Sequence, residues 1–214
     1  MDMANAPKAL VVVVDNDKQR LSSITKIVES VGHEIQLYDS AESYLKISHQ
    51  DLGHGCIIAN MDLPGISGLD LVNQINQHSN QLPLILLSHQ PSTASIVKAM
   101  KLGAVSLLEI PIQENLLFDS ISEAILRSGT EFTDRQQRKL VKSRLQQLTE
   151  KERIVIHLLI DGLANKVVAN RLGVSVRTIE TRRHDIFQKM KVNSLIQLVS
   201  DSITIQCIKE FDES

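Results

Sequence analysis

The sequence predicts a doubly wound α/β domain with five parallel strands, followed by a small all-α domain. Three observations support this fold class. Short apolar runs alternate with amphipathic stretches through the first 128 residues. The formal charge changes sign further along the chain, and the last part contains the start and stop signals of closely spaced helices.

Five short apolar runs predict five buried strands, because strands covered by helices on both faces are apolar without interruption. The runs are Leu10 to Val14, Ile35 to Tyr38, Cys56 to Ala59, Leu84 to Leu87 and Val105 to Leu108. Apolar residues recur at helical spacing between the runs, which predicts that each strand is followed by a helix. The helical positions are Leu21, Ile24, Ile27, Val28 and Val31, then Leu69, Val72 and Ile75, then Ile96, Val97 and Met100, then Leu117, Ile121 and Ile125.

The composition of the 214 residues, 43% apolar and 22% charged, is that of a globular protein rather than a disordered one. The two cysteines, Cys56 and Cys207, lack metal-ligand spacing and are interpreted as reduced, buried thiols, which favours the cytoplasm. No run approaches the roughly 18 apolar residues of a membrane span, and the first residues do not resemble a secretory signal. We expect a protein that stays inside the cell and does not enter a membrane.

The net charge of -2 conceals two segments of opposite sign. Residues 1 to 133 carry 8 Lys/Arg and 15 Asp/Glu, whereas residues 134 to 191 carry 14 Lys/Arg and 6 Asp/Glu. A basic segment joined to an acidic domain is expected when one part of a protein meets a polyanion, although a solvated charged face produces the same pattern.

Polar residues follow the predicted strands, where the crevice of a doubly wound sheet lies. They are Asp15-Asn16-Asp17, Asn60-Met61-Asp62, Ser88-His89 and Glu109-Ile110-Pro111, with Pro64 to Gly68 after the third strand. In order and spacing this set resembles the receiver domain of two-component response regulators over residues 9 to 128. The resemblance implies a flavodoxin-like fold.

The resemblance also implies a phosphoacceptor site, from which several residues are missing. Asp15 keeps the first acidic position and Ser88 keeps the hydroxyl. The other positions are replaced: Asn16 for the second acidic residue, Asn60 for the phosphoacceptor aspartate, Leu107 for the switch aromatic and Ile110 for the lysine. We therefore expect a pseudo-receiver, meaning a receiver domain that does not accept a phosphoryl group.

Asp17 and Asp62 leave an alternative open. With Asp15 they could bind a hard cation weakly, and Asp62 could be a shifted nucleophile, although no lysine would pair with its phosphate. The favoured interpretation is that Asp17 caps the first helix and Asp62 is solvated. The altered pocket could hold one conformation without a covalent signal, or it could respond to a small ligand or a partner protein.

Residues 129 to 147 contain no proline and several basic residues, which predicts a helical linker. The predicted organisation is residues 1 to 128 as the receiver-like domain, 129 to 147 as the linker and 148 to 214 as the all-α domain.

The pattern of the all-α domain predicts a helix-turn-helix. Thr149 and Glu152 have capping-box spacing, Gly162 ends the first helix, Asn165 opens the second, and Leu172 to Ser175 turn into the third. From residue 148 to about 203 the segment resembles the LuxR-type DNA-binding domain of NarL/FixJ response regulators, although Arg182 stands where that family usually has histidine. The matching residues are Leu148-Thr149, Glu152, Gly162, Asn165-Lys166, Ala169, Leu172 to Ser175, Arg177 to Glu180, Arg183, Ile186 and Lys189-Met190.

The third helix is the candidate for reading double-stranded DNA. A helical projection places Ile179, Ile186 and Met190 on one side, and Arg177, Thr181, His184 and Gln188 on the other. The resemblance implies base contacts by Glu180, Thr181 and His184. The predicted base contacts are therefore Glu180, Thr181, His184 and Gln188, and the predicted phosphate contacts are Lys166, Arg177, Thr178, Arg182, Arg183, Lys189 and Lys191.

A last helix from Ser194 to Ile205 carries an apolar stripe of Leu195, Leu198, Val199 and Ile203. The resemblance implies that this helix forms a homodimer contact on DNA, and packing within the domain is the alternative.

These patterns predict a DNA-binding transcription regulator that acts independently of aspartyl phosphorylation, with the receiver-like domain as a dimerisation, partner-binding or ligand-sensing module. One alternative is a response regulator still phosphorylated at a substituted site, and another is an interaction protein whose pseudo-receiver mainly sequesters a kinase or another regulator. The sequence shows no catalytic constellation, no phosphate-binding loop and no metal-ligand set beyond the pair His54 and Cys56. We expect no enzyme activity, cofactor or metal.

Overall fold

The architecture was obtained as a computed structural model that describes residues 8–46, 52–76, 82–200 and 202–211. The chain forms two compact units, Met1–Phe132 and Thr133–Ser214, called here the N-terminal unit and the C-terminal unit. The division falls inside the segment 129 to 147 that the sequence predicts as a linker.

The N-terminal unit contains a parallel sheet with the strand order β2-β1-β3-β4-β5, which confirms the predicted fold class. The strands are β1 (Leu10–Val14), β2 (Glu34–Tyr38), β3 (Gly55–Asn60), β4 (Leu84–Ser88) and β5 (Ser106–Glu109). The helices are α1 (Lys18–Ser30), α2 (Ala41–Leu45), α3 (Gly68–Ile75), α4 (Thr93–Lys101) and α5 (Glu114–Leu145), of which α5 continues into the C-terminal unit.

The two faces of the sheet are covered by separate apolar clusters. Val12, Ile57 and Leu86 point into the cluster with α2, α3 and α4. Val11 and Ile58 point into the cluster with α1 and α5. Alternate residues of a strand face opposite sides, so the three inner strands are apolar at every position that lies between the two layers.

The expectation of five buried strands is wrong for β2 and β5. Both strands lie at an edge of the sheet and pair with a single neighbour, so part of each stays in contact with solvent. Leu37 in β2 is 47% exposed. The helical face predicted for α4 is also wrong, because Ile96, Val97 and Met100 are exposed and Ala99 is the buried residue of that helix. Ala99 belongs to the apolar cluster that covers one face of the sheet.

The C-terminal unit is helical and has its own core. Its helices after α5 are α6 (Glu150–Ile160), α7 (Asn165–Leu172), α8 (Val176–Met190), α9 (Leu195–Ser200) and α10 (Ser202–Phe211). Val141 and Leu145, at the end of α5, are buried in this core with residues of α6 to α10. The end of the predicted linker therefore packs as part of the C-terminal unit.

The segment predicted as one helix from Ser194 to Ile205 is helical in α9 and α10, which lie on either side of residue 201, outside the described residues. Leu198 is fully buried and Leu195 packs against the core, so these two residues stabilise the unit itself. The side chain of Ile203 lies outside the described residues.

Candidate functional site: a sheet-edge cluster and a nucleic-acid interface

Three polar residues meet at the carboxyl edge of the sheet. Asp15 follows β1, Asn60 ends β3 and Ser88 ends β4, and each side chain is at least 97% buried. They lie together because β3 is hydrogen-bonded to both β1 and β4. These three residues are called the sheet-edge cluster below.

The backbone after Asn60 is held tightly. The side-chain Oδ1 of Asn60 accepts a hydrogen bond of 3.1 Å from the backbone N–H of Asp62. At Gly68, a Cβ atom would lie 2.6 Å from the carbonyl oxygen of Asn60 and 2.7 Å from the Cα of Met61. Only glycine permits this approach, so the start of α3 lies directly against the end of β3.

The side chains at positions 107 and 110 belong to the apolar layers. Ile110 packs against the cluster formed with α1 and α5, and Leu107 packs against the cluster on the opposite face. The backbone N–H of Ile110 donates to the carbonyl of Ser88 over 2.8 Å, which fixes the end of β5 beside β4. Neither side chain carries a charge that could pair with an anion at this edge.

A cation that the sequence analysis missed lies beside Asp15. The guanidinium of Arg20 donates from Nε to Asp15 Oδ2 over 2.5 Å and from Nη2 to Asp15 Oδ1 over 2.8 Å. The Arg20 side chain is 10% exposed and that of Asp15 is fully buried. The hydrogen bonding of its guanidinium to the Asp15 carboxylate is the main cause that raises the pKa of Arg20 above its ordinary value, so the guanidinium stays charged.

The first turn of α1 brings Arg20 to this position. Asp17 caps the helix, as the sequence predicts, and accepts hydrogen bonds from the backbone N–H groups of Gln19 and Arg20. The hydrogen bond from the N–H of Arg20, supported by that from Gln19, holds the pKa of the Asp17 carboxyl below its usual value, against the opposing effect of desolvation. Arg20 Nη1 lies 3.5 Å from Asp17 Oδ2 and 3.5 Å from His89 Nε2.

The remaining acidic positions are open to solvent. Asn16 and Asp62 are exposed, and Asp62 interacts with Arg20 through charge alone. Among the residues that the structure describes, no three His, Cys, Asp or Glu side chains are grouped so that they could hold a metal ion. The pair His54 and Cys56 does not form such a site, and burial raises the pKa of the Cys56 thiol to about 12.

Helix α8 in the C-terminal unit is the second candidate site. Ser175 caps α8 and accepts from the backbone N–H of Thr178, and the two hydroxyl oxygens lie 2.8 Å apart. Ile179, Ile186 and Met190 are buried, which confirms the predicted core face of the helix. The partly buried hydroxyl of Thr178 therefore helps to start the helix.

The opposite side of α8 is exposed, as the projection predicts. It presents Glu180, Thr181, His184 and Gln188, called the reading face below. The Thr181 hydroxyl donates to the carbonyl of Arg177 over 3.0 Å, and Gln188 Nε2 lies 2.9 Å from His184 Nε2. These contacts fix the orientation of three of the side chains before any ligand binds.

The predicted phosphate contacts include basic residues on α8, at its C-terminal cap and at the start of α7. Lys166, Arg177 and Lys191 are exposed, and Arg182 and Arg183 are half-buried. The Arg183 guanidinium lies 5.1 Å from the centre of the Phe187 ring and donates to Asn165 over 3.4 Å, so it links α8 to the start of α7.

Lys189 differs from the other basic residues, and its assignment to phosphate is not supported by its position. Its Nζ donates to Glu152 over 2.6 and 2.8 Å, and Glu152 is buried and completes the predicted capping box with Thr149. Burial raises the pKa of Glu152, but the hydrogen bonds from Lys189 and Thr149 outweigh that effect and leave the pKa below its ordinary value. Lys189 therefore neutralises an internal carboxylate.

Comparison with known proteins assigns both units. Residues 11–122 match the family described as response regulator receiver domain, and residues 146–201 match the family described as bacterial regulatory proteins, luxR family. The transcriptional regulatory protein FixJ of Azorhizobium caulinodans is 34% identical over 194 residues, which cover 90% of this chain and 92% of FixJ. The chain belongs to the FixJ-type response regulators.

Other response regulators of known sequence or structure are similar over the same length. The response regulator protein TodT of Pseudomonas putida strain F1 is 29% identical, with 89% of this chain and 84% of TodT covered. The structure of response regulator StyR has a TM-score of 0.82 at 31% identity and covers 93% of this chain and 99% of the StyR chain. Full-length FixJ from B. japonicum has a TM-score of 0.55 at 30% identity, with 94% and 98% covered.

This response regulator thus contains a receiver domain and a LuxR-type DNA-binding domain, and the relatives named above are regulators rather than enzymes. Its sheet-edge cluster does not fit the divalent cation that receiver chemistry implies, because both oxygens of Asp15 accept from Arg20 and Asn16 is a neutral, exposed side chain. In the described part of the chain no helix is both long and apolar enough to cross a membrane.

Proposed function

We propose that this response regulator controls transcription without phosphorylation of its receiver domain. The observation that carries the proposal is the identity of the last residue of β3, Asn60. It occupies the position where the family resemblance places the phosphoacceptor aspartate. A carboxamide is not a nucleophile that forms an acyl phosphate, and the Oδ1 of Asn60 is already an acceptor for Asp62.

The surroundings of Asn60 support the same proposal. A newly bound phosphoryl group would need a cation or ammonium group beside it. Ile110 supplies a hydrocarbon side chain that packs in the apolar layer. Arg20 is positive, but two of its N–H groups are directed at Asp15. A response regulator phosphorylated at a substituted site, with Asp62 as the nucleophile, is the alternative that the experiment below excludes or supports.

We propose that the reading face contacts bases in the major groove. Thr181 and His184 combine exposure with the position that the family resemblance implies, and Gln188 continues the same side of α8 by one turn. Glu180 is exposed beside them and could accept a hydrogen bond from a cytosine amino group.

We propose that Lys166, Arg177, Arg182, Arg183 and Lys191 contact phosphates, with Thr178 at the helix start. Their positive charges lie around the reading face, where they would set the position of the helix on DNA. Lys189 is left out of this set because of its ion pair with Glu152.

We further propose a homodimer on DNA and a receiver domain that acts through dimerisation, a partner protein or a ligand, in the cytoplasm where DNA is accessible. Ile196 of α9 is 77% exposed, whereas Leu198, two residues further along the helix, is buried, so α9 offers an apolar side chain to a second subunit without loss of its own packing. Two subunits would read two half-sites.

The first experiment tests phosphoryl transfer directly. The full-length protein is incubated with magnesium and acetyl phosphate and its intact mass is measured, with Asp62→Asn as the matched variant. We expect no covalent phosphoryl adduct on either protein. An adduct that is lost in Asp62→Asn would establish the alternative nucleophile and contradict the proposal.

DNA binding is tested in parallel by selecting fragments from a random library with the untreated protein. Enrichment of a common sequence with two related half-sites supports both the reading face and the dimer. Retention of fragments without any shared sequence would contradict base readout by α8.

A further inference from the structure

We infer that Arg20 is a built-in counter-ion that takes the place of a divalent cation in the receiver domain and keeps such cations out. This inference goes beyond the proposed function, because the lack of a phosphoacceptor at Asn60 does not decide what neutralises Asp15. The geometry assigns that role to a side chain of the same domain, five residues further along the chain.

The first argument is the use of the Asp15 oxygens. Oδ2 accepts from Arg20 Nε, and Oδ1 accepts from Arg20 Nη2 and from the backbone N–H of Asp17 over 2.9 Å. A carboxylate has about four lone-pair positions, and three hydrogen bonds already occupy most of them. A magnesium or manganese ion needs direct contact with such an oxygen at about 2.1 Å, which the guanidinium blocks.

The second argument is charge. The guanidinium lies on the fully buried Asp15, with Asp17 3.5 Å away and Asp62 near enough to interact with it electrostatically. Arginine does not lose its proton in folded proteins, so the positive charge is permanent. A divalent cation that approached the carboxylates would be repelled by this positive charge at close range, where bulk water screens the repulsion only in part.

The third argument is that the arrangement is fixed rather than incidental. Asp17 positions the first turn of α1 by capping it through the N–H of Arg20, and the same turn directs the Arg20 side chain back onto Asp15. The guanidinium is bidentate and the side chain is only 10% exposed. Arg20 is therefore held in one conformation, unlike a surface residue that samples many.

An ordinary structural ion pair is the competing explanation, and the two make different predictions. A purely structural pair predicts that loss of Arg20 lowers stability and changes nothing else. A counter-ion that excludes cations predicts that loss of its charge creates a cation site at Asp15.

The experiment measures binding of Mn²⁺ to the full-length protein by electron paramagnetic resonance, which counts the free ion. The variants are Arg20→Gln, which removes the charge, and Arg20→Lys, which keeps it. Two further variants remove the carboxylate: Asp15→Asn alone, and the double variant Asp15→Asn with Arg20→Gln. Circular dichroism and thermal melting establish that each variant is folded.

We expect wild type and Arg20→Lys to show no Mn²⁺ site that depends on Asp15 in the millimolar range. Arg20→Gln should bind Mn²⁺ at least about tenfold more tightly than wild type, which corresponds to the removal of one nearby like charge. The double variant should return to the wild-type level, since the carboxylate that would hold the ion is gone.

Two results would overturn the inference. One is a folded Arg20→Gln protein that binds Mn²⁺ no better than wild type. The other is a wild-type protein that binds Mn²⁺ in a manner abolished by Asp15→Asn alone, and this comparison holds even if Arg20→Gln does not fold. Neither result would produce a phosphoryl adduct in the mass measurement above, so failure of this inference is distinguishable from failure of the proposed function.

Discussion

The sheet-edge cluster of the N-terminal unit and the reading face of the C-terminal unit use their polar side chains in opposite ways. At the sheet edge, Asp15 and Arg20 face each other and their charges are satisfied inside the domain. On α8, Thr181 and His184 are exposed and held by contacts within the helix. A buried pair stabilises a single arrangement, whereas an oriented exposed face remains available to a ligand. The side chains of α8 are therefore available to an outside ligand, whereas those of Asp15 and Arg20 are paired within the domain.

The largest expected effect is on the reading face. The double substitution of Thr181→Ala and His184→Ala should lower affinity for a selected DNA site by at least about thirtyfold, because each lost base contact removes about 1–3 kcal/mol. Affinity for unrelated DNA should change little. Fluorescence anisotropy on both DNAs measures this, with Thr93→Ala in α4 as the matched control. An equal loss of affinity for both DNAs would show that these two side chains do not distinguish one base sequence from another.

The next effect concerns Glu152, whose carboxylate is paired with Lys189 inside the C-terminal unit, as Asp15 is paired with Arg20 in the N-terminal unit. Glu152→Gln should lower the free energy of unfolding by about 2 kcal/mol, because a charged hydrogen bond to Lys189 is lost in a partly buried setting. Urea denaturation of the full-length protein measures the change.

The same pair gives a pH dependence with a definite sign. The pKa of Glu152 is lowered on folding, so its contribution to stability is complete above the ordinary value of 4.5 and is lost as the pH falls through the lower folded value. Glu152→Gln should therefore flatten the fall in stability below pH 4.5. An unchanged acid profile in the variant would contradict the assigned cause.

A smaller effect is expected from the basic residues around α8. Arg177→Gln should weaken binding to all DNA sequences by about the same factor and reduce the slope of log affinity against log salt by about one. Lys189→Gln should lower stability and leave that slope unchanged, since its ammonium group is paired with Glu152. A salt slope that falls equally in both variants would show that Lys189 also contacts DNA.

The smallest effect is expected from Asn60→Asp. The substitution restores a carboxylate at the end of β3 but leaves Arg20 on Asp15 and Ile110 in the apolar layer. DNA affinity of this variant should not respond to acetyl phosphate and magnesium. A response would show that the receiver domain lacks only its acceptor, and that Arg20 does not prevent phosphoryl transfer.

The sequence predicted the parallel sheet, the strand ends and the buried side of α8, because each depends on periodic patterns within one element. It predicted the Asp17 cap and the capping box for the same reason. The exposed face of α4 was not predicted, since Ile96 and Val97 have helical spacing whether or not a neighbour covers them.

Arg20 and Lys189 could not be assigned from residue type. A basic residue is equally compatible with solvent, phosphate or a carboxylate of the same domain, and only the three-dimensional distances decide. A partial signal for Arg20 exists, because it lies in the first turn of a helix whose cap comes two residues after Asp15, so its side chain can reach back to the strand end. Lys189 carries no such signal, since its partner Glu152 is 37 residues away.

The most direct test of phosphorylation independence is the affinity of the full-length protein for a selected DNA site, titrated with and without magnesium and beryllofluoride, a mimic of the phosphoryl group. Tight and sequence-selective binding with the same affinity in both conditions is the predicted result. Binding that requires beryllofluoride, or that tightens tenfold or more in its presence, would contradict the account, because it would show that the sheet-edge cluster still receives the signal.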